Sequence, residues 1–205
     1  MVVFATTLAY VGATLGVLMV VPQVLRTVRH PRLGGVSTVS WGLLAVACLS
    51  WLLYGLRTQT WPQVPGNVFL VSGAVAVVLL VPSPHSRVRR AATLAAVAAA
   101  VVVVALAIPA HLVGYLAVGI GLTSAWPQLY DSLLSSRRTA LSGVSIATWG
   151  TRLASQSCWL AYAVLVRDVP VLLSASVALS AATAMVAVEA SRRFAWSGGL
   201  VDDRA

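Results

Sequence analysis

Lysine is missing altogether, acidic side chains number five, and charged residues of both signs make up only 9% of the 205 positions. A water-exposed domain carries about 25% charged residues, so this composition excludes a chain that folds behind its own charged surface. Cysteine is scarce too. Cys48 and Cys158 both fall inside apolar runs, which excludes a disulfide framework and reads as two buried thiols. His30, His85 and His111 stand near the ends of apolar runs at spacings that fit no metal site, so neither metal nor cofactor is expected. No acid, base and nucleophile converge in any motif, which argues against an enzyme. A net charge of +9 and a pI near 11.1 raise nucleic acid as a partner. All the basic residues are arginines, and all but Arg152 sit in short loops or the tail rather than in a stripe interleaved with aromatics, so that class is excluded as well.

What is present is apolar: 59% hydrophobic residues and a mean hydropathy of +0.90 place the chain in a lipid bilayer. A helix crosses roughly 30 Å of hydrocarbon in about 20 residues. Seven runs qualify, approximately 3–24, 37–56, 62–82, 91–109, 112–133, 144–166 and 169–189. They lack the two-residue alternation of a membrane barrel strand, so the expectation is an all-α membrane protein with seven transmembrane helices. The N-terminus has no positive n-region and no clear cleavage site, and reads as a first span rather than a signal peptide. The first, third and fifth loops and the tail hold Arg26, Arg29, Arg32, Arg87, Arg89, Arg90, Arg137, Arg138, Arg192, Arg193 and Arg204, whereas the second and sixth loops hold only Arg57 and Arg167. That bias predicts an outside N-terminus and a cytosolic C-terminus. The use of arginine alone, with abundant alanine and valine, suggests a GC-rich bacterial genome and hence an inner membrane.

The chain is internally duplicated. Pro22-Gln23 and Pro127-Gln128 each close a span, with Tyr10 and Gly16 upstream of the first matched by Tyr115 and Gly121 upstream of the second. Downstream, Gly35-Val36-Ser37, Trp41-Gly42 and Trp51-x-x-Tyr54 recur as Gly143-Val144-Ser145, Trp149-Gly150 and Trp159-x-x-Tyr162. Three spans enter and leave on opposite sides, so two triplets joined directly would be inverted. The unrepeated Ala/Val/Leu run before Pro109 restores the orientation, giving two parallel three-helix repeats joined by a linker helix (3+1+3). The boundaries expected are 1–83, 84–110 and 111–190, followed by a polar, partly disordered cytosolic tail over 191–205.

Pro22 and Pro127 leave the carbonyls of Leu18 and Thr123 without their usual donors, so each should bend its helix, with Gln23 and Gln128 placed to help satisfy the freed groups. A hinge and a static kink are the two readings. Pro62-Gln63, at the opposite end of its span, reads as helix-start chemistry. Trp51 lies six residues before Arg57 and Asn67 six residues after Trp61, which sets both about 9 Å below the same surface. An indole face beside an amide suits a sugar ring and its hydroxyls. The competing readings are an interfacial tryptophan and an interhelical hydrogen bond.

The two Pro-Gln pairs, each followed by Gly-Val-Ser, resemble the PQ-loop superfamily, and within it the SWEET and SemiSWEET sugar transporters. The resemblance implies alternating-access transport of a small polar solute, most simply a mono- or disaccharide. It also implies that Pro22, Gln23, Pro127 and Gln128 are hinges and that Trp51 and Asn67 line the pocket with Trp159. The second half has Ala175 where the asparagine would fall, so Ser174 or Ser176 would substitute. Tyr54 with Arg57, facing Tyr162 with Arg167 and Asp168, resembles the outer gate of SemiSWEETs. No carboxylate lies mid-span, which favours facilitated diffusion over proton coupling. Arg152, with Gln156 one turn on, either binds an anionic group on the solute or snorkels or pairs with Asp131. Two further readings are therefore kept, an amino-acid or organic-anion carrier and a non-transporting cargo receptor or assembly factor. The lipid bilayer and a small-molecule substrate are the partners expected, and homo-oligomerisation is left open.

Overall fold

The computed structural model describes residues 1–29, 38–134 and 146–202. Seven helices follow one another: α1 (Val2–Arg29), α2 (Thr38–Thr58), α3 (Gln63–Leu80), α4 (Arg87–Ala107), α5 (Ala110–Leu134), α6 (Ile146–Val166) and α7 (Val169–Asp202). By length and composition, five of them can cross a membrane among the described residues. The fold is thus all-helical, as the apolar runs require, because lipid offers a backbone no alternative hydrogen-bond partners. Hydroxyls inside the helices satisfy themselves on the preceding turn, as Ser50 does on the Val46 carbonyl and Ser72 on that of Val68.

One expectation about a helix end is corrected. The segment from Ser191 was expected to be a partly disordered tail, but α7 continues unbroken to Asp202. Adding residues to a formed helix costs little once the nucleus exists. α1 runs through Pro22 to Arg29 and α5 through Pro127 to Leu134, which sets each proline inside its helix. The side chains of Gln23, Pro127 and Gln128, and both Gly-Val-Ser motifs, lie outside the described residues.

Helix packing realises the duplication. In the first triplet α3 packs against both α1 and α2, and in the second α7 packs against both α5 and α6. Between triplets, α1 packs on α6 and α2 on α5. The order around the bundle is therefore α1, α3, α2, α5, α7, α6 and back to α1, a closed ring of six with the triplets related by a pseudo-twofold. Small residues let the rods approach. A Cβ on Gly66 would touch Ala13 at 3.6 Å and one on Gly73 would crowd Val24 at 3.1 Å, which brings α3 close to α1.

The linker is not a free spacer. α4 packs on α2 and α3, both in the first triplet. Arg57, at the end of α2, donates to the carbonyls of Ala105 and Ile108 where α4 ends. Arg90, in the first turn of α4, donates to the carbonyls of Val78, Leu79 and Val81 where α3 ends. Each guanidinium occupies a helix C-terminus, where orphan carbonyls and the negative end of the dipole favour a cation.

Candidate functional site between the triplets

The site begins with a turn made twice. Gln59 and Arg167 both adopt the left-handed conformation, at φ 58° and 59°. This reverses the chain, so that the Thr60 amide donates to the Gly55 carbonyl at 2.8 Å and the Asp168 amide to the Ala163 carbonyl at 3.0 Å. Thr60 and Asp168 thereby arrive at equivalent places at the starts of α3 and α7. Asp168 then caps α7 by accepting from the Val171 amide at 3.1 Å.

Each of these residues receives a tyrosine from the opposite triplet. Tyr54 on α2 donates its hydroxyl to Asp168 Oδ1 at 2.7 Å. Tyr162 on α6 comes near Thr60 across the bundle, and the Thr60 hydroxyl meets that of Thr58 at 2.9 Å. The Tyr54 ring fits only because Gly114 lacks a side chain: a Cβ there would lie 2.9 Å from the ring and 2.6 Å from Pro170. Two crossed tyrosine contacts, one with a carboxylate and one with a hydroxyl, thus join the triplets at the end of the bundle that holds the second and sixth loops.

Beneath each tyrosine lies its tryptophan. Trp51 meets Tyr54 edge-on with centroids 5.6 Å apart, and Trp159 meets Tyr162 at 5.7 Å. Both indoles pack against a core cluster of Ala5, Ala9, Tyr54, Ala105, Val113, Tyr162, Ala163 and Val171. Further along the bundle α1 and α6 are held by Ser155, which donates to the Gly12 carbonyl at 2.8 Å. A Cβ on Gly12 would stand 3.1 Å from the Trp159 ring.

The expected site residues divide accordingly. Tyr54, Tyr162 and Asp168 come together. Arg57 does not join them, because its guanidinium is engaged on the carbonyls ending α4. Arg167 contributes the left-handed turn that positions Asp168, and its side chain is exposed. Asn67 is half-buried on α3 and donates to the Gln63 carbonyl of its own helix at 2.8 Å, a different bond from the interhelical one considered. Ser174 and Ser176 are half-buried around Ala175, which is 1% exposed. Arg152 and Gln156 are half-buried on α6. Of the two thiols, Cys48 is buried, but Cys158 is only half-buried, against Gly12.

Three contributors were missed from sequence. Gly12-x-x-x-Gly16 is a small-residue packing motif that could have flagged the α1–α6 contact. Thr60 could have been found as the counterpart of Asp168 in the duplication. Trp149 was recognised as a repeat marker only, yet the Arg152 guanidinium stacks over its ring at 5.3 Å from the centroid.

No protein-family model matches the chain, and no curated protein sequence matches it either. Among solved structures, a eukaryotic SWEET transporter superposes with a TM-score of 0.73 at 15% identity, over 92% of this chain and 98% of that one. The chain has the seven-helix SWEET fold.

Proposed function

We propose that the protein is a facilitative carrier of a small polar solute, with a mono- or disaccharide as the ring that best suits its paired indoles, working by alternating access between the two triplets. The observation that carries this reading is the pair of crossed tyrosine contacts. They join the triplets at the end of the bundle that holds the second and sixth loops, above two tryptophans contributed symmetrically by α2 and α6. A bond between units that move relative to each other is a gate, and an aromatic pair beneath it is a place for a solute. The SWEET fold supports transport over chemistry. In this reading, which the arginine bias supports, the gated end faces outward from a bacterial inner membrane, with the N-terminus external and the C-terminus cytosolic. In this reading Pro22 and Pro127 are hinges for the cytosolic ends, Asn67 and the serines at 174 and 176 supply polar contacts, and the structure is the externally closed state.

Counterflow of labelled glucose and sucrose in proteoliposomes, with and without a pH gradient, tests the proposal. Saturable flux that is independent of the gradient and lost in Trp51→Ala and Trp159→Ala is expected. Absence of any mediated flux of these two sugars would end the neutral-sugar reading, and flux that requires the gradient would end the facilitative one.

A further inference from the structure

The tryptophan–tyrosine pairs repeat between the halves, but the positions flanked by tryptophans do not. Trp41, Leu44, Cys48 and Trp51 on α2 correspond to Trp149, Arg152, Gln156 and Trp159 on α6. Both tryptophans are kept. The two places between them are apolar or thiol in the first half, and cationic and amide in the second.

The four α6 residues are spaced three, four and three apart, so they form one stripe along the helix. Gly150, Ala154, Ser157 and Val164 are set on the other side of α6, with Ala154, Ser157 and Val164 exposed. The stripe adjoins Ser155, which bonds α1, and includes Trp159, which packs on Gly12. It therefore faces the space between the triplets rather than lipid. Arg152 is half-buried there, with its guanidinium on Trp149 and its Nε buried without a hydrogen-bond partner among the described residues. A cation at this depth, six residues or about 9 Å into α6, demands an anion. Asp168 stands at the far end of α6 and is already engaged by Tyr54. The Asp131 side chain lies outside the described residues.

We infer that the solute of this carrier bears one oxyanion, a carboxylate or a phosphate, on a body the size of a monosaccharide. Arg152 takes the oxyanion and Gln156 a neighbouring hydroxyl, while Trp149 and Trp159 bound the site along the helix. A guanidinium suits either group, since its fork of donors matches both. The inference rests on the carrier reading and narrows its substrate to sugar acids and sugar phosphates over neutral sugars.

The test is binding to the purified full-length protein, followed by tryptophan fluorescence, with glucose, glucuronate and glucose 6-phosphate, together with counterflow of each. The two anionic probes are expected to differ, which identifies the oxyanion, and the better one should bind at least tenfold more tightly than glucose. Arg152→Gln should collapse that preference by tenfold or more, Arg152→Lys should keep part of it, and Asp131→Asn should leave it intact. Equal affinity for glucose and both anions in the wild type would overturn the inference. So would an unchanged anion-to-glucose ratio in Arg152→Gln, with Arg152→Gln and Asp131→Asn lowering the melting temperature alike, which assigns Arg152 to an internal ion pair. If no probe of either kind binds or moves, the carrier reading itself falls. If glucose alone does, only this inference falls.

Discussion

Removing one oxygen should change which side of the bundle is open. The Tyr54 hydroxyl and Asp168 belong to different triplets and meet at 2.7 Å, so under the proposed alternating access their bond exists only while this end of the bundle is closed. A hydrogen bond to a charged group contributes about 1.5–3 kcal/mol net, and this one is only partly buried, which points to the lower end. Tyr54→Phe keeps the ring that fits against Gly114 and removes only the donor, while Asp168 keeps its cap on the Val171 amide. A loss of about 1.5 kcal/mol shifts the closed-to-open ratio about tenfold. Tyr162→Phe removes a hydroxyl that lies near a neutral partner, worth at most the lower limit of about 0.5 kcal/mol for a neutral bond, so its shift should be about twofold. The assay is double electron–electron resonance between spin labels at Leu56 and Val166, exposed positions at the ends of α2 and α6, with Cys48 and Cys158 replaced by alanine. Longer distances should gain population in Tyr54→Phe and less in Tyr162→Phe. An unchanged distribution in Tyr54→Phe, or a larger change in Tyr162→Phe, would refute the assignment of this bond as the stronger half of the gate.

Gly12→Ala puts a methyl 3.1 Å from the Trp159 ring and 3.2 Å from the Cys158 Cβ, so thermal melts in detergent should show a loss of about 1–3 kcal/mol. Gly42→Ala, with nothing within 4 Å among the described residues, should instead be neutral or gain about 0.5–1 kcal/mol. Gln63→Met should stabilise by about 1 kcal/mol, because both ends of the Gln63 amide are buried without partners among the described residues. A marked loss there would reveal a partner that the amide needs. Arg57→Ala should release the end of α4, raising amide exchange over residues 104–108 at least tenfold and leaving the start of α4 protected through Arg90. Equal exchange in variant and wild type would show that packing alone seats the linker.

Much of this fold was legible because a bilayer simplifies the problem. Seven apolar runs have no stable form in lipid other than helices, and a duplicated Pro-Gln, Trp and Tyr pattern requires two like units with a single helix between them. The duplication also marked Tyr54 and Tyr162 as a matched pair. Their partners were less legible. Tyr54 reaches a residue 114 positions away, and nothing local to either segment states that α2 of one triplet faces the start of α7 in the other. Arg57 shows the converse error: reading it beside Tyr54, at the end of one helix, suggested a gate, whereas the linker helix ends beside it and offers bare carbonyls. Arg167 was read for its charge, and its contribution is a backbone angle.

By itself, then, the order of residues determined the element type, the number of helices and their repeat, since each depends on hydrophobic length and local chemistry. The tertiary structure alone decided how the triplets are crossed, which triplet holds the linker, and which face of α6 carries Arg152 inward. Those depend on which small residues allow two rods to touch, a property of surfaces that meet only after every helix has formed.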